Sequence, residues 1–159
     1  MSVNYIPEGY HTITPYLVIK DAAKALDHYK QAFGAVELVR FATPEGVIKH
    51  AEMRIGDSRF MMTDEWPAMG ARGPLSLGGT PVFLMLYVPD VDAVVAAALT
   101  AGAHLVKPVQ DQFYGDRSGV VADPFGHLWA VATHKEDLTE AEIAGRDCGA
   151  APSQSPPAA

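Results

Sequence analysis

The chain has 159 residues, of which 48% are apolar and 19% charged, a composition that can fill the core of one domain. It carries 12 Lys and Arg against 19 Asp and Glu, a formal net charge of −7, which disfavours nucleic acids and anionic membranes as partners. The single cysteine, Cys148, excludes an internal disulfide, and the N-terminus lacks the regions of a secretory signal. We therefore expect a cytoplasmic globular protein with no nucleic-acid or membrane partner.

The first half of the chain predicts one strand, one helix and three further strands. The β-branched and aromatic run at 12–19 predicts the first strand. Apolar residues at three- and four-residue steps predict a helix between Asp21, a residue type that caps helix N-termini, and Gly34, a type that ends helices. Three extended runs follow and predict strands at 36–41, 47–55 and 59–63.

The second half repeats this pattern. A β-branched run at 80–88 precedes Asp90, which follows Asp21 by 69 residues, and a second helix is predicted up to Gly102. Because this helix is almost entirely Ala and Val, we expect it to be the more deeply covered of the two. Three extended runs follow here as well, at 104–110, 118–122 and 127–133.

The repeat defines the predicted domain organisation. Each half is a strand–helix–strand–strand–strand (βαβββ) module, and a capping box of Thr139 with Glu142 predicts a further short helix. A stretch rich in Pro, Ala and Ser at the C-terminus predicts disorder. The predicted parts are a first module at 10–64, a linker at 65–79, a second module at 80–136, a short helix at 137–147 and a disordered tail at 148–159.

Four stretches carry a resemblance to a known family: TPYLVIKDAAKALDHYKQAFGA, HAEMRIGDSRFMMTDE, YGDRSGVVADPFGHLWAVATHKEDL and the following TEAEIAGR. In this order, and with the internal repeat, they resemble the vicinal oxygen chelate superfamily of glyoxalase I, extradiol dioxygenases and bleomycin-resistance proteins, and within it the PhnB-like branch. The resemblance implies an α+β fold of two βαβββ modules whose sheets curl around a common funnel. It also implies a homodimer, since members commonly complete their sites or bury sheet edges across a two-fold axis.

Metal-dependent members of this superfamily bind one divalent ion with His, Glu or Gln from the first and fourth strands of each module. Aligning the modules on Asp21, Asp90 and the DPFG turn places these four positions at Thr14, Met61, Phe83 and Ala130. A phenyl ring and a methyl group cannot bind an ion, and a thioether suits soft Cu(I). We therefore predict no metal site and no cofactor.

The same positions predict an apolar funnel. Alternation along 80–88 places Phe83, Met85 and Tyr87 on the face of the missing ligand. Arg117 is a candidate for binding a ligand carboxylate or phosphate, or for pairing with Asp116 or Asp123 to fix a hairpin. The predicted ligand-binding residues are Thr14, Tyr16, Met61, Phe83, Met85, Tyr87, Arg117 and Ala130. This surface suits a small hydrophobic or aromatic molecule, although the same side chains would also fill the cavity of a ligandless domain.

Polar residues on the run 47–55 support a second interpretation. His50 and Glu52 alternate with apolar residues, so both face the funnel or the solvent. His50 suits acid–base catalysis near neutral pH, and Glu52 suits the role of base if desolvation raises its pKa. The simpler alternative is a solvated row of charges, or an ion pair of Glu52 with Arg54 or Arg117.

Three functional hypotheses remain from the sequence. The first is a metal-independent protein that binds a small hydrophobic or aromatic ligand, like the bleomycin-resistance proteins of the same superfamily. The second is a lyase, isomerase or dioxygenase of that superfamily that uses His50 and Glu52 as catalytic residues, with a displaced metal or none. The third is a dimeric protein whose funnel is packed shut.

Overall fold

The computed structural model describes residues 3–147, which form two consecutive βαβββ modules. The first module consists of β1 (Tyr16–Ile19), α1 (Ala22–Phe33), β2 (Val36–Ala42), β3 (Ile48–Ile55) and β4 (Ser58–Asp64). The second consists of β5 (Phe83–Tyr87), α3 (Val91–Thr100), β6 (His104–Asp111), β7 (Asp116–Ala122) and β8 (Leu128–His134). A 3₁₀ turn (Pro67–Met69) and helix α2 (Pro74–Leu77) connect them, and α4 (Glu140–Asp147) follows. The predicted tail lies outside the described residues.

Each module forms its own four-stranded mixed sheet. The strand orders are β1-β4-β3-β2 and β5-β8-β7-β6, with the first and fourth strands of each module parallel and the other pairs antiparallel. The predicted α+β fold with two βαβββ modules is thus confirmed. The two sheets nevertheless remain separate and do not close around one funnel.

The internal repeat is also a repeat of strand register. Tyr16 of β1 lies beside Met61 of β4, and Met85 of β5 lies beside Ala130 of β8. The second pair follows the first by the same 69 residues that separate the two predicted helix caps. The alignment of the modules from the sequence is therefore correct at the strands where the metal ligands of relatives are expected.

The two long helices begin in different ways. The carboxylate of Asp90 accepts a hydrogen bond from a first-turn N–H of α3, as predicted. Asp21 instead has a left-handed backbone with φ 71°, and its side chain makes no capping bond. The N–H of Ala22 donates to the carboxylate of Asp64 at the end of β4, at 2.8 Å. Helix α1 is therefore anchored by its own sheet and not by the residue that precedes it.

One hydrophobic core joins the two modules. Helices α1 and α3 pack against each other, and each covers one face of its own sheet. The ring of Tyr29 on α1 lies against Phe60 of the first sheet and Trp129 of the second, with centroid distances of 5.7 and 5.4 Å. The prediction that α3 is the more deeply covered helix is wrong, because α1 occupies the centre of this core while Leu99 of α3 is exposed.

The face of each sheet opposite the helices is uncovered. On β5, Phe83, Met85 and Tyr87 are exposed, whereas the alternate residues pack against the core, as the sequence alternation predicts. On β1, Tyr16 is exposed in the same way. Because both sheets turn their helix-bearing faces into one core, their uncovered faces point away from it. Tyr16 and Met61 on the first uncovered face do not line the cavity that Phe83, Met85 and Tyr87 line.

The helices are short. Across residues 3–147, none of them combines the length and the apolar character that crossing a membrane requires.

Candidate functional site

A cleft of about 750 Å³ follows the free edge of β5. Because β5 is an edge strand, residues from both of its faces reach the cleft, which is lined by 83–89 on this side. The β3–β4 hairpin (55–60) and the chain before β1 form the opposite wall, and the rings of Phe33 and Trp129 lie at its base. The volume is within the range of small-molecule sites.

The structure brings some of the predicted ligand-binding residues together and separates others. Phe83, Met85 and Tyr87 line the cleft. Tyr16 and Met61 are neighbours on the uncovered face of the first sheet. Ala130 lies beside Met85 on the uncovered face of the second sheet but does not line the cleft. Thr14, half-buried before β1, and Arg117 on β7 do not line it either.

Arg117 belongs to the helix-bearing side of the second sheet. Its guanidinium donates to both carboxylate oxygens of Asp92 on α3, at 2.7 and 2.9 Å, and to Asp111 on β6 at 3.2 Å. These partners differ from the Asp116 and Asp123 that the sequence offered. With two carboxylates bound, Arg117 holds the start of α3 on the sheet and does not face the cleft.

The positions aligned with the metal ligands of relatives carry side chains that do not bind a divalent ion. The side chains of Met61 and Ala130 offer a thioether and a methyl group next to Tyr16 and Met85. In the part of the chain that the structure describes, no three His, Cys, Asp or Glu side chains converge as ligands of one ion would. The residues present do not fit the metal of metal-dependent relatives, and a metal-free site stays our prediction.

Four polar side chains form a hydrogen-bonded network on the uncovered face of the first sheet. The Tyr10 hydroxyl donates to Glu52, and Nε2 of His50 lies 3.2 Å from the other oxygen of that carboxylate. The Tyr16 hydroxyl lies 3.0 Å from Nδ1 of His50. Because a carboxylate only accepts, Nε2 carries the imidazole proton and Nδ1 accepts from Tyr16. We call this arrangement the His50 network.

The His50 network changes the role expected for Glu52. The hydrogen bond from Tyr10, with a smaller contribution from His50, holds the pKa of the Glu52 carboxyl below its usual value, although partial burial acts in the opposite direction. The condition under which Glu52 would act as the base, a pKa raised by desolvation, is therefore not met. Glu52 is a carboxylate at neutral pH and a weak base, suited to orienting His50. The ion pair of Glu52 with Arg54 or Arg117 is not formed, since Arg54 binds Gly56.

A second polar cluster was missed by the sequence analysis. Buried Asp116 accepts hydrogen bonds from the Tyr87 hydroxyl at 3.0 Å and from Nδ1 of His134 at 2.7 Å, and Nε2 of His134 lies 3.0 Å from Asp137. Asp116, and then Asp137, raise the pKa of His134, and the bond to Asp116 raises the pKa of Tyr87. The signal was the β7–β8 pairing: extending it by two residues places Asp116 opposite His134.

Comparison with known proteins identifies the family. Two βαβββ modules, each with a 1-4-3-2 sheet and an uncovered face, define a glyoxalase-like fold. The model of the Glyoxalase/Bleomycin resistance protein/Dioxygenase superfamily matches residues 9–131. The chain belongs to this superfamily.

Individual relatives are similar over most of the chain. The uncharacterized protein Rv0887c of Mycobacterium tuberculosis is 46% identical over 146 residues, which cover 90% of this chain and 84% of that protein. The structure of TioX from Micromonospora sp. ML1 is 29% identical with a TM-score of 0.60 and covers 81% of this chain and 100% of its own.

Two more distant structures share the fold. One is TnmS3, an antibiotic binding protein from Streptomyces sp. CB03234, at 18% identity and a TM-score of 0.59, covering 85% of this chain and 99% of its own. The other is a PhnB protein from Bacillus cereus, at 18% identity and a TM-score of 0.61, covering 77% and 99%. At this identity the likeness shows the fold alone.

Proposed function

We propose that this chain is a cytoplasmic, metal-independent protein of the PhnB-like branch that binds a small hydrophobic or aromatic molecule. The observation that carries the proposal is the cleft along β5, which is lined by Phe83, Met85 and Tyr87 and also by the buried rings of Phe33 and Trp129. TnmS3, described as an antibiotic binding protein, offers a precedent for small-molecule binding on the same fold. Fold alone does not carry a function, so the proposal rests on the cleft.

The walls of the cleft determine the kind of ligand. Flat aromatic molecules stack against exposed rings and displace water from them, which gains about 25 cal/mol per Å² of apolar surface buried. Association costs several kcal/mol of lost translational and rotational freedom. We therefore expect a ligand the size of two fused aromatic rings to bind with a dissociation constant in the micromolar range.

Titration calorimetry with 1-naphthamide, an uncharged bicyclic aromatic, in the presence of EDTA tests the proposal. We expect saturable binding that the Phe83→Ala variant weakens about tenfold, because it removes one apolar wall. Phe113→Ala is the matched control: this phenylalanine is also exposed but lies between β6 and β7, outside the cleft. Binding that needs an added divalent metal, or that Phe83→Ala leaves unchanged, would contradict the proposal.

We propose further that the protein is a homodimer in which a second copy covers the uncovered sheet faces. Tyr16 and Met85 each expose 48% of their surface, and Phe41 exposes 61%. Apolar surface of this kind is typical of interaction sites. The two uncovered faces point in different directions within one chain. In a dimer, Tyr16 and Met61 of one copy would lie beside Met85 of the other. The predicted funnel residues would then meet between chains.

Sedimentation analysis tests the dimer. We expect a species of about twice the chain mass of 17.0 kDa and dissociation by Phe41→Glu, because a charge on that face opposes burial. Phe113→Glu, outside both uncovered faces, is expected to leave the dimer intact. A monomer at micromolar concentration would contradict the proposal.

The His50 network favours a second candidate function, acid–base catalysis. Glu52 fixes the proton on Nε2 of His50, which leaves the lone pair of Nδ1 as the base. When the Tyr16 hydroxyl turns aside, this lone pair would take a proton from a carbon next to a substrate carbonyl, and the C–H electron pair would stay on the substrate as an enolate. Glu52 would stabilise the imidazolium until the proton returns to carbon.

Exchange of substrate hydrogen with deuterium oxide tests this candidate. With 2-hydroxyacetophenone as the probe, we expect deuterium at the carbon next to the carbonyl, loss of exchange in His50→Gln, and full exchange in His104→Gln, an exposed histidine on β6. A wild-type protein that shows no exchange would contradict catalysis and leave the binding proposal standing.

A further inference from the structure

Arg59 of β4 lines the cleft, and its charge helps to lower the pKa of Glu52 although the two side chains form no ion pair. Among the residues that line the cleft in the described part of the chain, Arg59 is the one Lys or Arg. It takes no part in the ion pairs found between residues 3 and 147. Its Nε is buried and lacks a hydrogen-bond partner. A buried donor without an acceptor is unfavourable, so the guanidinium has hydrogen-bonding capacity that no group in the described part of the chain satisfies.

The N-terminal segment holds Arg59 in place. The guanidinium lies over the ring of Tyr10, with 4.8 Å between Cζ and the ring centroid, and the Tyr10 hydroxyl is itself fixed by Glu52. At Gly9 the backbone has φ 79°, and a Cβ there would lie 2.4 Å from Nη2 of Arg59, so a glycine is what permits this close approach. Packing of this kind fixes the guanidinium before a ligand arrives, which lowers the entropic cost of binding.

Three other ionisable side chains line the cleft, His11, Asp57 and Tyr87. Asp57 is exposed at the tip of the β3–β4 hairpin and accepts a hydrogen bond from the Ser58 hydroxyl at 2.8 Å. His11 precedes β1 and is also exposed. The apolar base of the cleft is thus bordered by the guanidinium of Arg59, which the N-terminal segment holds in place. Asp57, the one carboxylate among the described lining residues, lies in solvent.

We propose that the ligand of this cleft carries a carboxylate that binds Arg59 while its apolar body lies against Phe33 and Trp129. The inference rests on the proposed function, because it assigns the chemical class of the ligand to the same cleft. A guanidinium presents parallel N–H groups that match the two oxygens of a carboxylate, and such charge-assisted bonds are stronger than neutral ones. The formal net charge of −7 repels anions at long range, so selection of an anion depends on this local contact.

Two probes of the same shape test the inference. Titration calorimetry compares 1-naphthoate with 1-naphthamide, which differ in the charge of one substituent. We expect wild-type protein to prefer naphthoate at least tenfold and Arg59→Gln to bind both equally. Arg59→Lys, which keeps the charge but loses the planar fork, is expected to retain a smaller preference.

Arg54→Gln is the matched control. Arg54 lies directly opposite Arg59 in the β3–β4 hairpin, is exposed, and does not line the cleft. We expect it to keep the wild-type preference, which separates a local contact from a change in overall charge. Naphthamide binding by Arg59→Gln also shows that this variant is folded.

Each other outcome overturns a defined statement. Equal binding of the two probes to wild-type protein overturns the anion inference and leaves the proposed function standing. Equal loss of the preference in Arg54→Gln and Arg59→Gln overturns the role of Arg59. Failure of both probes to bind wild-type protein overturns the proposed function together with the inference.

Discussion

Asp123, in the turn before β8, is a buried carboxylate that links the two modules. It accepts hydrogen bonds from the Tyr29 hydroxyl on α1 at 2.7 Å and from the Trp129 indole at 3.0 Å. The N–H groups of Phe125 and His127 also donate to it, each at 2.9 Å. Burial, and then the charge of Asp123, raise the pKa of Tyr29 well above its usual value, so this phenol stays protonated and donates. Hydrogen bonds from both modules thus compensate for the burial of the Asp123 carboxylate.

Removing the Tyr29 hydroxyl tests this link. We expect Tyr29→Phe to lower the free energy of unfolding by about 1.5–3 kcal/mol, the range for a hydrogen bond to a charged group. Tyr114→Phe, on an exposed ring, is expected to change it by less than about 0.5 kcal/mol. Urea denaturation measures both values, and equal effects of the two substitutions would argue against a special role for Asp123.

His134 gives the protein a pH-dependent contribution to stability. Its pKa is raised in the folded chain, first by the hydrogen bond to Asp116 and then by that to Asp137. The stabilisation is therefore fully present below about pH 6.5, the usual histidine value, and is lost as the pH rises through the raised folded pKa. We expect the difference in urea midpoint between wild type and His134→Gln to shrink from pH 5.5 to pH 9.

His104→Gln is the control for this titration, because His104 is also an exposed strand histidine but forms none of the ion pairs found between residues 3 and 147. We expect its difference from wild type to stay constant with pH. A difference for His134→Gln that grows with pH would have the wrong sign for the contacts seen here.

At the scale of single elements, the sequence predicts most where one pattern decides the structure. On β5 the alternation of side chains separates the exposed residues Phe83, Met85 and Tyr87 from the core, and the repeat sets the register of β1 and β5. It fails on β3, where a register shift opposite β2 buries Ile48 and exposes Val47, because a bulge reverses the alternation. A bulge depends on the partner strand and leaves no mark in the strand's own sequence.

The starts of the two long helices also show what the local sequence predicts and what depends on distant residues. Asp21 and Asp90 occupy equivalent positions, yet the first-turn amide of α1 is bound by Asp64 from β4. For α1, the local pattern predicts a capping carboxylate at Asp21 but does not predict that Asp64 of β4 supplies it.

Asp64 and Asp21 can be compared directly. The Asp64 carboxylate accepts from the N–H of Ala22 at 2.8 Å and of Ile48 at 2.6 Å. We expect Asp64→Ala to cost about 1–2 kcal/mol of stability, as the loss of a helix cap does. Asp21→Asn keeps a residue that tolerates the left-handed backbone and loses an exposed ion pair with Lys24, so we expect less than about 0.5 kcal/mol. Thermal or urea unfolding measures the stability of both variants. A larger loss in Asp21→Asn than in Asp64→Ala would place the cap at Asp21.

At the scale of the whole molecule, the sequence predicts two modules but not how they are joined. The core between α1 and α3 turns the two uncovered sheet faces away from each other. Tyr16 and Met85, which occupy equivalent positions in the two modules, are therefore separated within one chain. Arg59 and the N-terminal segment that holds it were missed for the same reason. Their contacts join Gly9 and Tyr10 to a strand about fifty residues away, and no local pattern encodes that approach.

Fluorescence of Trp129 measures the central claim most directly. The chain has two tryptophans, and Trp129 lies at the base of the cleft while Trp66 lies outside it. In a Trp66→Phe variant treated with EDTA, we predict that 1-naphthamide changes the emission of Trp129 in a saturable manner and that added divalent metal leaves the curve unchanged. A signal that develops only with metal, or no saturable signal at all, would contradict a metal-independent ligand site along β5.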